Sequence, residues 1–348
     1  MGILIAILIF GLIIATHELG HFISAKLCGI RVNEFALGMG FKIFHFKKGE
    51  TEYSIRLFPI GGFCSMEGED SESDDKRAFC SKPVWQRIIV VVAGATVNIL
   101  TGVILTVVLA SMYKSIPSTT VKNFAVDSDT NQIISSSYEA GLREGDKIIC
   151  INGLKVFTFS DISFQIASET EKPFTLEVER NGERITLENV TFGSKVTGEK
   201  ARDFGIETLP KTFGNVISYS LKDSVSTARL IWISLGDLLK GKYGADEISG
   251  PVGTISVIGQ ASETGANVRE KVMSILNLTV FITINIGIFN LLPIPALDGG
   301  RLVFLLIEAV RRKPIKPEYE AYVHAVGMLL LFGLMIFATY NDIIRLKG

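Results

Sequence analysis

Residues 2–29 read GILIAILIFGLIIATHELGHFISAKLCG. The stretch is long enough to cross a bilayer, which takes about 20 apolar residues in a helix. A signal peptide is also apolar and N-terminal, but no basic segment stands ahead of this run, and it outlasts the roughly 7–15 residues of a signal-peptide core. Inside it sit His17, Glu18, His21 and Lys26. Polar groups that deep in an apolar helix are costly and mark function by default. His17-Glu18-Leu19-Gly20-His21 is an HExxH pattern. Positions four apart share a helix face, so both imidazoles can hold one metal ion, with Glu18 beside it as general base on a bound water. Chance alone gives this pattern in on the order of one chain in a hundred. The alternative, a hydrogen-bond cluster between helices, leaves two histidines and an acid in an apolar helix without a ligand to offset their burial.

The rest of the 348-residue chain agrees with a membrane setting. Apolar residues make up 47% and charged residues 20%, and the mean hydropathy is +0.36. The net charge of −1 removes the electrostatic case for a nucleic-acid binder, and the apolar content excludes disorder. Charge is unevenly spread: residues 88–113 and 272–297 carry none. Four spans are predicted, at 2–29, 88–113, 272–292 and 321–341. Gly94 and Asn98, four apart in the second, let another helix approach closely and hydrogen-bond. Cys28, Cys64, Cys80 and Cys150 form no CxxC pair and fit neither a disulfide framework nor a cysteine zinc site.

Between the spans, 41–46 and 53–57 read as strands joined by a turn at Lys47-Lys48-Gly49-Glu50, with Gly61-Gly62 breaking the run. The acidic stretch 67–77 reads as a surface loop. Residues 116–210 have soluble composition, with strands at 147–151, 174–180 and 184–190, a helix at 160–168, and Asn152-Gly153 and Asn181-Gly182 as hairpin turns. Residues 213–240 read as an amphipathic helix along the membrane surface, and the stretch opening at Ser249-Gly-Pro-Val-Gly253 is too short for a span. The expected architecture is a polytopic α-helical membrane protein with four transmembrane helices, a membrane-associated β-hairpin and one extracytoplasmic α+β domain. Its expected divisions are 1–115, 116–210, 211–271 and 272–348. Segment 26–87 holds ten Lys and Arg and 301–317 holds five, so both belong on the cytoplasmic side. Arg345 and Lys347 pull the other way. His45 reads as solvated, His324 as interfacial, and Arg311-Arg312-Lys313 as a topology determinant.

Two histidines and a water leave a tetrahedral zinc ion one protein ligand short. Asp298 is the candidate, in Asn290-Leu-Leu-Pro-Ile-Pro-Ala-Leu-Asp298-Gly-Gly300. Two prolines break the helix there, and irregular backbone at membrane depth needs a buried or water-lined site. Asp298 could instead cap the helix that opens at Gly299-Gly300-Arg301. With HExxH in another span, the ligand reading wins.

HELGH, NLLPIPALDGG and the soluble domain between them resemble the site-2 protease family of intramembrane zinc metalloproteases, nearest the bacterial regulator of sigma-E protease group. Gly61-Gly-Phe-Cys-Ser-Met-Glu-Gly68, Ala93-Gly-Ala-Thr-Val-Asn98 and Ser249-Gly-Pro-Val-Gly253 match as well, so the resemblance covers essentially the whole chain. It implies one Zn2+ held by His17, His21 and Asp298, Glu18 as the catalytic glutamate, and Asn290 as a residue that helps hold substrate. Tyr138-Glu-Ala-Gly-Leu-Arg-Glu-Gly-Asp-Lys-Ile-Ile-Cys-Ile-Asn-Gly153 is similar to the core of bacterial PDZ domains; many relatives carry two, whereas this chain has room for one.

The resemblance further implies a multi-pass protein of the bacterial plasma membrane that cuts single-span membrane proteins. Anti-sigma factors and signal-peptide remnants are the usual substrates, trimmed beforehand by an upstream site-1 protease. A transmembrane helix must unwind to be cut, and the 41–59 hairpin is the expected clamp for the extended segment. Two rivals are a non-catalytic scaffold with a structural metal and a metal transporter. The scaffold has no use for Glu18, and the transporter lacks internal repeats and a second ligand set.

Overall fold

The computed structural model describes residues 2–69, 71–127, 132–168, 173–193, 202–242, 244 and 249–347. Residue contacts divide the chain into two units, Met1–Leu105 with Leu235–Gly348, and Thr106–Ser234.

In the first unit, helix α1 (Gly2–Leu27) leads into strands β1 (Val32–Lys48) and β2 (Thr51–Met66), then helix α2 (Val84–Met112), which runs on into the second unit. The strands are longer than the sequence pattern suggests. Residues 34–37 of β1 pair with 52–55 on one side and with 62–65 on the other, while 42–48 pair with the far edge of 51–56. Two strands thus make four lanes. Gly61-Gly62 does not end the run as expected. Gly61 takes φ 86°, a region that favours glycine, and turns β2 back across β1. A Cβ on Gly62 would stand 3.0 Å from the Ala36 carbonyl oxygen and 3.2 Å from Glu18 Cγ, so this last lane lies against α1.

The second unit holds β3 (Ile116–Phe124), α3 (Ser136–Glu139), β4 (Lys147–Ile151), β5 (Leu154–Lys155), α4 (Phe159–Ser168), β6 (Phe174–Arg180), β7 (Glu183–Val190), β8 (Phe204–Leu209) and most of α5 (Phe213–Leu239). The sheet runs β7-β6-β4-β3-β8, with β5 on β4. Asn152-Gly153 and Asn181-Gly182 have positive φ at both positions and join β4 to β5 and β6 to β7, as two-residue hairpin turns require. Leu142, Ile148, Ile151, Ile162, Leu176 and Val178 fill the core. Asp146 is buried and accepts from the Arg143 N–H at 2.9 Å and from the Arg180 guanidinium at 2.6 and 2.7 Å, which accounts for the acid in the Gly145-Asp146 turn.

The expected boundary at residue 210 falls inside this unit, because α5 docks on α4. Asp161, third residue of α4, reaches back to the N–H groups of Phe157 and Thr158, in the manner of a capping box. It also accepts from Ser226 and from Arg229 of α5. Asp223 of α5 accepts from Thr158 and Ser160 at 2.9 and 2.8 Å.

The first unit resumes with α6 (Pro251–Glu263), α7 (Val268–Asn290), α8 (Asp298–Arg311) and α9 (Pro317–Lys347). Helices α1, α2, α7 and α9 are long and apolar enough to cross a membrane, giving a polytopic membrane protein with a β-containing domain. Helix α6, at 13 residues, is about 20 Å long and cannot span the roughly 30 Å hydrocarbon layer. Its glycine-rich start has a packing reason: Asp342 of α9 accepts from the N–H groups of Gly250 and Gly253 at 3.1 and 2.7 Å. A Cβ on Gly253 would lie 2.6 Å from that carboxylate.

Candidate metal centre

Helix α1 presents His17 and His21 one turn apart toward α2. The helices approach closely because glycines leave room: a Cβ on Gly20 would meet the Ala93 carbonyl oxygen at 2.6 Å, and one on Gly94 would meet His21 Nε2 at 2.3 Å. Each imidazole is then held from behind. His21 Nδ1 lies 2.8 Å from the Val90 carbonyl oxygen. A carbonyl can only accept, so Nδ1 carries the proton and a neutral His21 keeps its lone pair on Nε2. His17 Nδ1 lies 3.4 Å from the amide of Asn98.

Asp298 arrives from the other end of the chain. Gly299 and Gly300 fold α8 against the preceding loop, where a Cβ would meet the carbonyl oxygens of Leu292 at 2.0 Å and Ile294 at 2.6 Å. Ala296 takes φ 75°, costly for a residue with a Cβ. Helix α9 holds it there: His324 Nδ1 accepts from the Ala296 N–H at 2.9 Å, and Pro295 seats against Gly327. His324, expected at the membrane interface, thus supports the Asp298 loop. The N-cap position of α8 belongs to Leu297 and has no side-chain capping bond, so Asp298 does not serve as the cap.

Three donor atoms converge. His17 Nε2 and His21 Nε2 are 3.2 Å apart, and Asp298 Oδ2 lies 3.2 Å from the first and 3.3 Å from the second. A tetrahedral zinc ion with bonds of about 2.0–2.1 Å sets its ligands about 3.3–3.4 Å apart, so the triangle fits. Asp298 Oδ2 is buried and accepts no hydrogen bond. An anionic oxygen beside the bare Nε2 of His21 calls for a cation between them. Among the described residues this is the one group of three or more such side chains placed to hold a metal.

Glu18, the three donors, residues 63–66, Glu69, Val91 and Arg301 line one cavity of about 410 Å³. The strand beside the metal donors is therefore the last lane of β2, not the 41–59 hairpin expected from sequence. Glu69 accepts from the Met66 N–H at 3.2 Å and pairs with Arg301, three residues past Asp298, so lane and helix α8 are tied together. Arg301 also meets Glu320 of α9 at 3.2 Å. Asn290 ends α7, half-buried, and is not among the residues lining the cavity. The supports from Val90 and His324 leave no trace in the sequence, since the first is a backbone carbonyl and the second serves a backbone N–H in a broken loop; the Gly94/Asn98 spacing is the one signal for a polar partner on α2.

The sequence profile of peptidase family M50 matches residues 5–334. A Clostridium acetobutylicum relative is 36% identical over 99% of this chain and 97% of its own length. The zinc metalloprotease RasP of Bacillus licheniformis is 34% identical, over 98% of each chain. The regulator of sigma-W protease RasP of Bacillus subtilis is 32% identical, over 98% of this chain and 97% of its own. The chain belongs to peptidase family M50, the site-2 proteases, and is a zinc metalloprotease of that type.

Proposed function

We propose that this protease cleaves the transmembrane segments of single-span membrane proteins, with His17, His21 and Asp298 as the zinc ligands and Glu18 as general base. The observation that supports this best is the near-equilateral donor triangle with Glu18 in the same cavity. Zinc, when bound, polarises the scissile carbonyl and acidifies a water. Glu18 takes a proton from the attacking water and delivers it to the amide nitrogen as the C–N bond breaks. An unwound substrate strand needs main-chain partners. Residues 62–66 pair with β1 on one edge, and among the described residues no strand pairs with the other, so β-addition there would lay the substrate along the cavity. Asn290, carried over by family resemblance, would help hold substrate from the end of α7.

By the same resemblance the substrates are anti-sigma-factor-like proteins and signal-peptide remnants, trimmed first by a site-1 protease. The B. subtilis relative is named for the sigma-W pathway. We place the protein in a bacterial plasma membrane with the metal centre toward the cytoplasm and the second unit, read as a PDZ-like domain, outside. Glu18→Gln should abolish cleavage of a single-span substrate in purified protein while one zinc stays bound, because the amide cannot accept the proton. Substantial turnover by that variant overturns the assignment of the base. A cysteine at Ser71 should be labelled only from the cytoplasmic side and one at Asn181 only from outside; the reverse pattern overturns the orientation.

A further inference from the structure

Asn98 sits on α2 with no solvent exposure, between Thr16 and His17 of α1. As placed, its Oδ1 faces Thr16 Oγ1 at 2.9 Å and its Nδ2 faces His17 Nδ1 at 3.4 Å. This arrangement conflicts twice with hydrogen-bond chemistry. Thr16 Oγ1 is also 2.9 Å from the Ile13 carbonyl oxygen. A carbonyl oxygen and an amide oxygen both accept, and a hydroxyl has one proton for the two of them. The second conflict is at His17. If Nδ1 accepts from Nδ2, the neutral ring carries its proton on Nε2, the atom that faces His21 Nε2 and Asp298 Oδ2. A protonated Nε2 cannot bind a metal.

Turning the amide by 180° removes both conflicts without moving a heavy-atom position, since its oxygen and nitrogen are nearly alike in shape. Nδ2 then donates to Thr16 Oγ1, Thr16 donates to the Ile13 carbonyl, and Asn98 Oδ1 accepts the proton of His17 Nδ1. The Thr16 hydroxyl and His17 Nδ1 each then donate to one acceptor, and Thr16 Oγ1 takes one of the two Nδ2 protons. His17 and His21 become equivalent: each gives its Nδ1 proton to an α2 acceptor, Asn98 Oδ1 or Val90 O, and each turns a bare Nε2 to the metal site.

We infer that Asn98 is a positioning residue that fixes the metal-binding tautomer of His17 through its side-chain oxygen, with Thr16 holding the amide in that orientation. The inference rests on the reading of His17 as a zinc ligand. It also gives the Gly94/Asn98 pair two distinct tasks: Gly94 clears space for the rings, and Asn98 orients one of them.

Purified full-length Asn98→Leu and Asn98→Asp should be compared for zinc affinity by competition with a chromophoric chelator. Loss of such a partner to a zinc-ligating histidine typically costs about 10–100-fold in metal affinity, and Asn98→Leu should fall in that range. Asn98→Asp keeps an oxygen toward His17 Nδ1 and should stay close to wild type, although it loses the donor to Thr16. If the aspartate loses as much zinc affinity as the leucine, or the leucine loses none, the inference is overturned. Should either variant fail to fold, the wild type still decides. In ¹⁵N spectra of histidine-labelled zinc-free protein at alkaline pH, with His17 assigned by its absence from His17→Gln, the proton is expected on Nδ1, and a proton on Nε2 overturns the inference. His17→Ala that still binds one zinc at wild-type affinity would overturn the ligand reading itself, an outcome separate from any result at Asn98.

Discussion

Asp298 and Asp161 are acids in the first turn of a helix, one in each unit, and their surroundings are opposite: Asp161 is fully buried, and Asp298 is half-buried with its Oδ2 out of solvent. Asp161 accepts from two backbone N–H groups, a serine hydroxyl and an arginine. Asp298 Oδ2 has no hydrogen-bond donor and faces two imidazole nitrogens. A buried carboxylate is expensive unless paired and hydrogen-bonded. At Asp161 the protein supplies all the compensation, so the acid is part of the fold. At Asp298 Oδ2 none of the described residues supplies it, and on the proposed ligand reading zinc does. On that reading, donor count around the carboxylate, rather than its helix position, separates a structural acid from a metal ligand.

The strongest way to break this comparison is to truncate both acids. Asp298→Ala should abolish turnover and reduce bound zinc far below one equivalent, while the zinc-free protein loses little stability, because no hydrogen bond to that oxygen is broken. Asp161→Ala should do the reverse. Removing one partner of a buried ion pair costs about 3–5 kcal/mol, so denaturant unfolding of the second unit should shift by that order while zinc content holds. If Asp298→Ala unfolds the protein, or Asp161→Ala strips its zinc, donor count does not distinguish the two roles.

Much of this contrast could be read before the fold was known. HELGH announces itself because an apolar helix has no other use for two histidines and an acid, and Asp298 stands out because Pro293 and Pro295 break a span just ahead of it. The last three spans follow from runs of uncharged residues, and the Asn-Gly hairpins from local chemistry at residues 152 and 181. What stayed hidden depends on distant partners. The pattern of β2 shows a strand but not its register, so nothing local reveals that Gly61 sends residues 62–66 back across β1 toward Glu18. Asp161 and Asp223 look like ordinary charges on helices until α5 is seen docked on α4. His324 sits in an apolar span, and its partner is a backbone N–H that exists only because Ala296 is held in a strained turn.

Asp342 sharpens the comparison within the first unit, since it too is a buried acid in an apolar helix. It has donors, the N–H groups of Gly250 and Gly253, and so should behave like Asp161 rather than Asp298. Asp342→Ala should loosen the start of α6 by about 1–2 kcal/mol, the usual cost of a lost helix cap. Asp342→Asn, which keeps an acceptor oxygen, should lose less. Amide exchange at residues 253–256 reads this directly. Equal protection in wild type and Asp342→Ala would mean that the carboxylate contributes no cap.

The smallest expected effect concerns an acid between the extremes. Asp223 has three hydroxyl donors, Thr158, Ser160 and Tyr219, but no cationic partner among the described residues. Burial raises its pKa above the ordinary carboxylate value and the nearby charge of Asp161 adds to the rise, while the Ser160, Thr158 and Tyr219 bonds offset only part. The sign for stability follows. An acid whose folded pKa exceeds its unfolded value binds its proton more tightly when folded, so folding is favoured below the unfolded pKa, near 3.9, and that increment is lost as pH rises through the folded value. Paired carboxylates such as Asp161 act in the opposite direction, so the contribution of Asp223 must be isolated by difference. Asp223→Asn keeps an acceptor toward the hydroxyls and carries no charge. Relative to wild type it should be less stable, or equal, at the acid end and gain steadily as pH rises through the window above 3.9, measured by denaturant midpoints of the second unit. A difference between the two proteins that does not change with pH would mean that Asp223, like Asp161, is fully compensated by its neighbours.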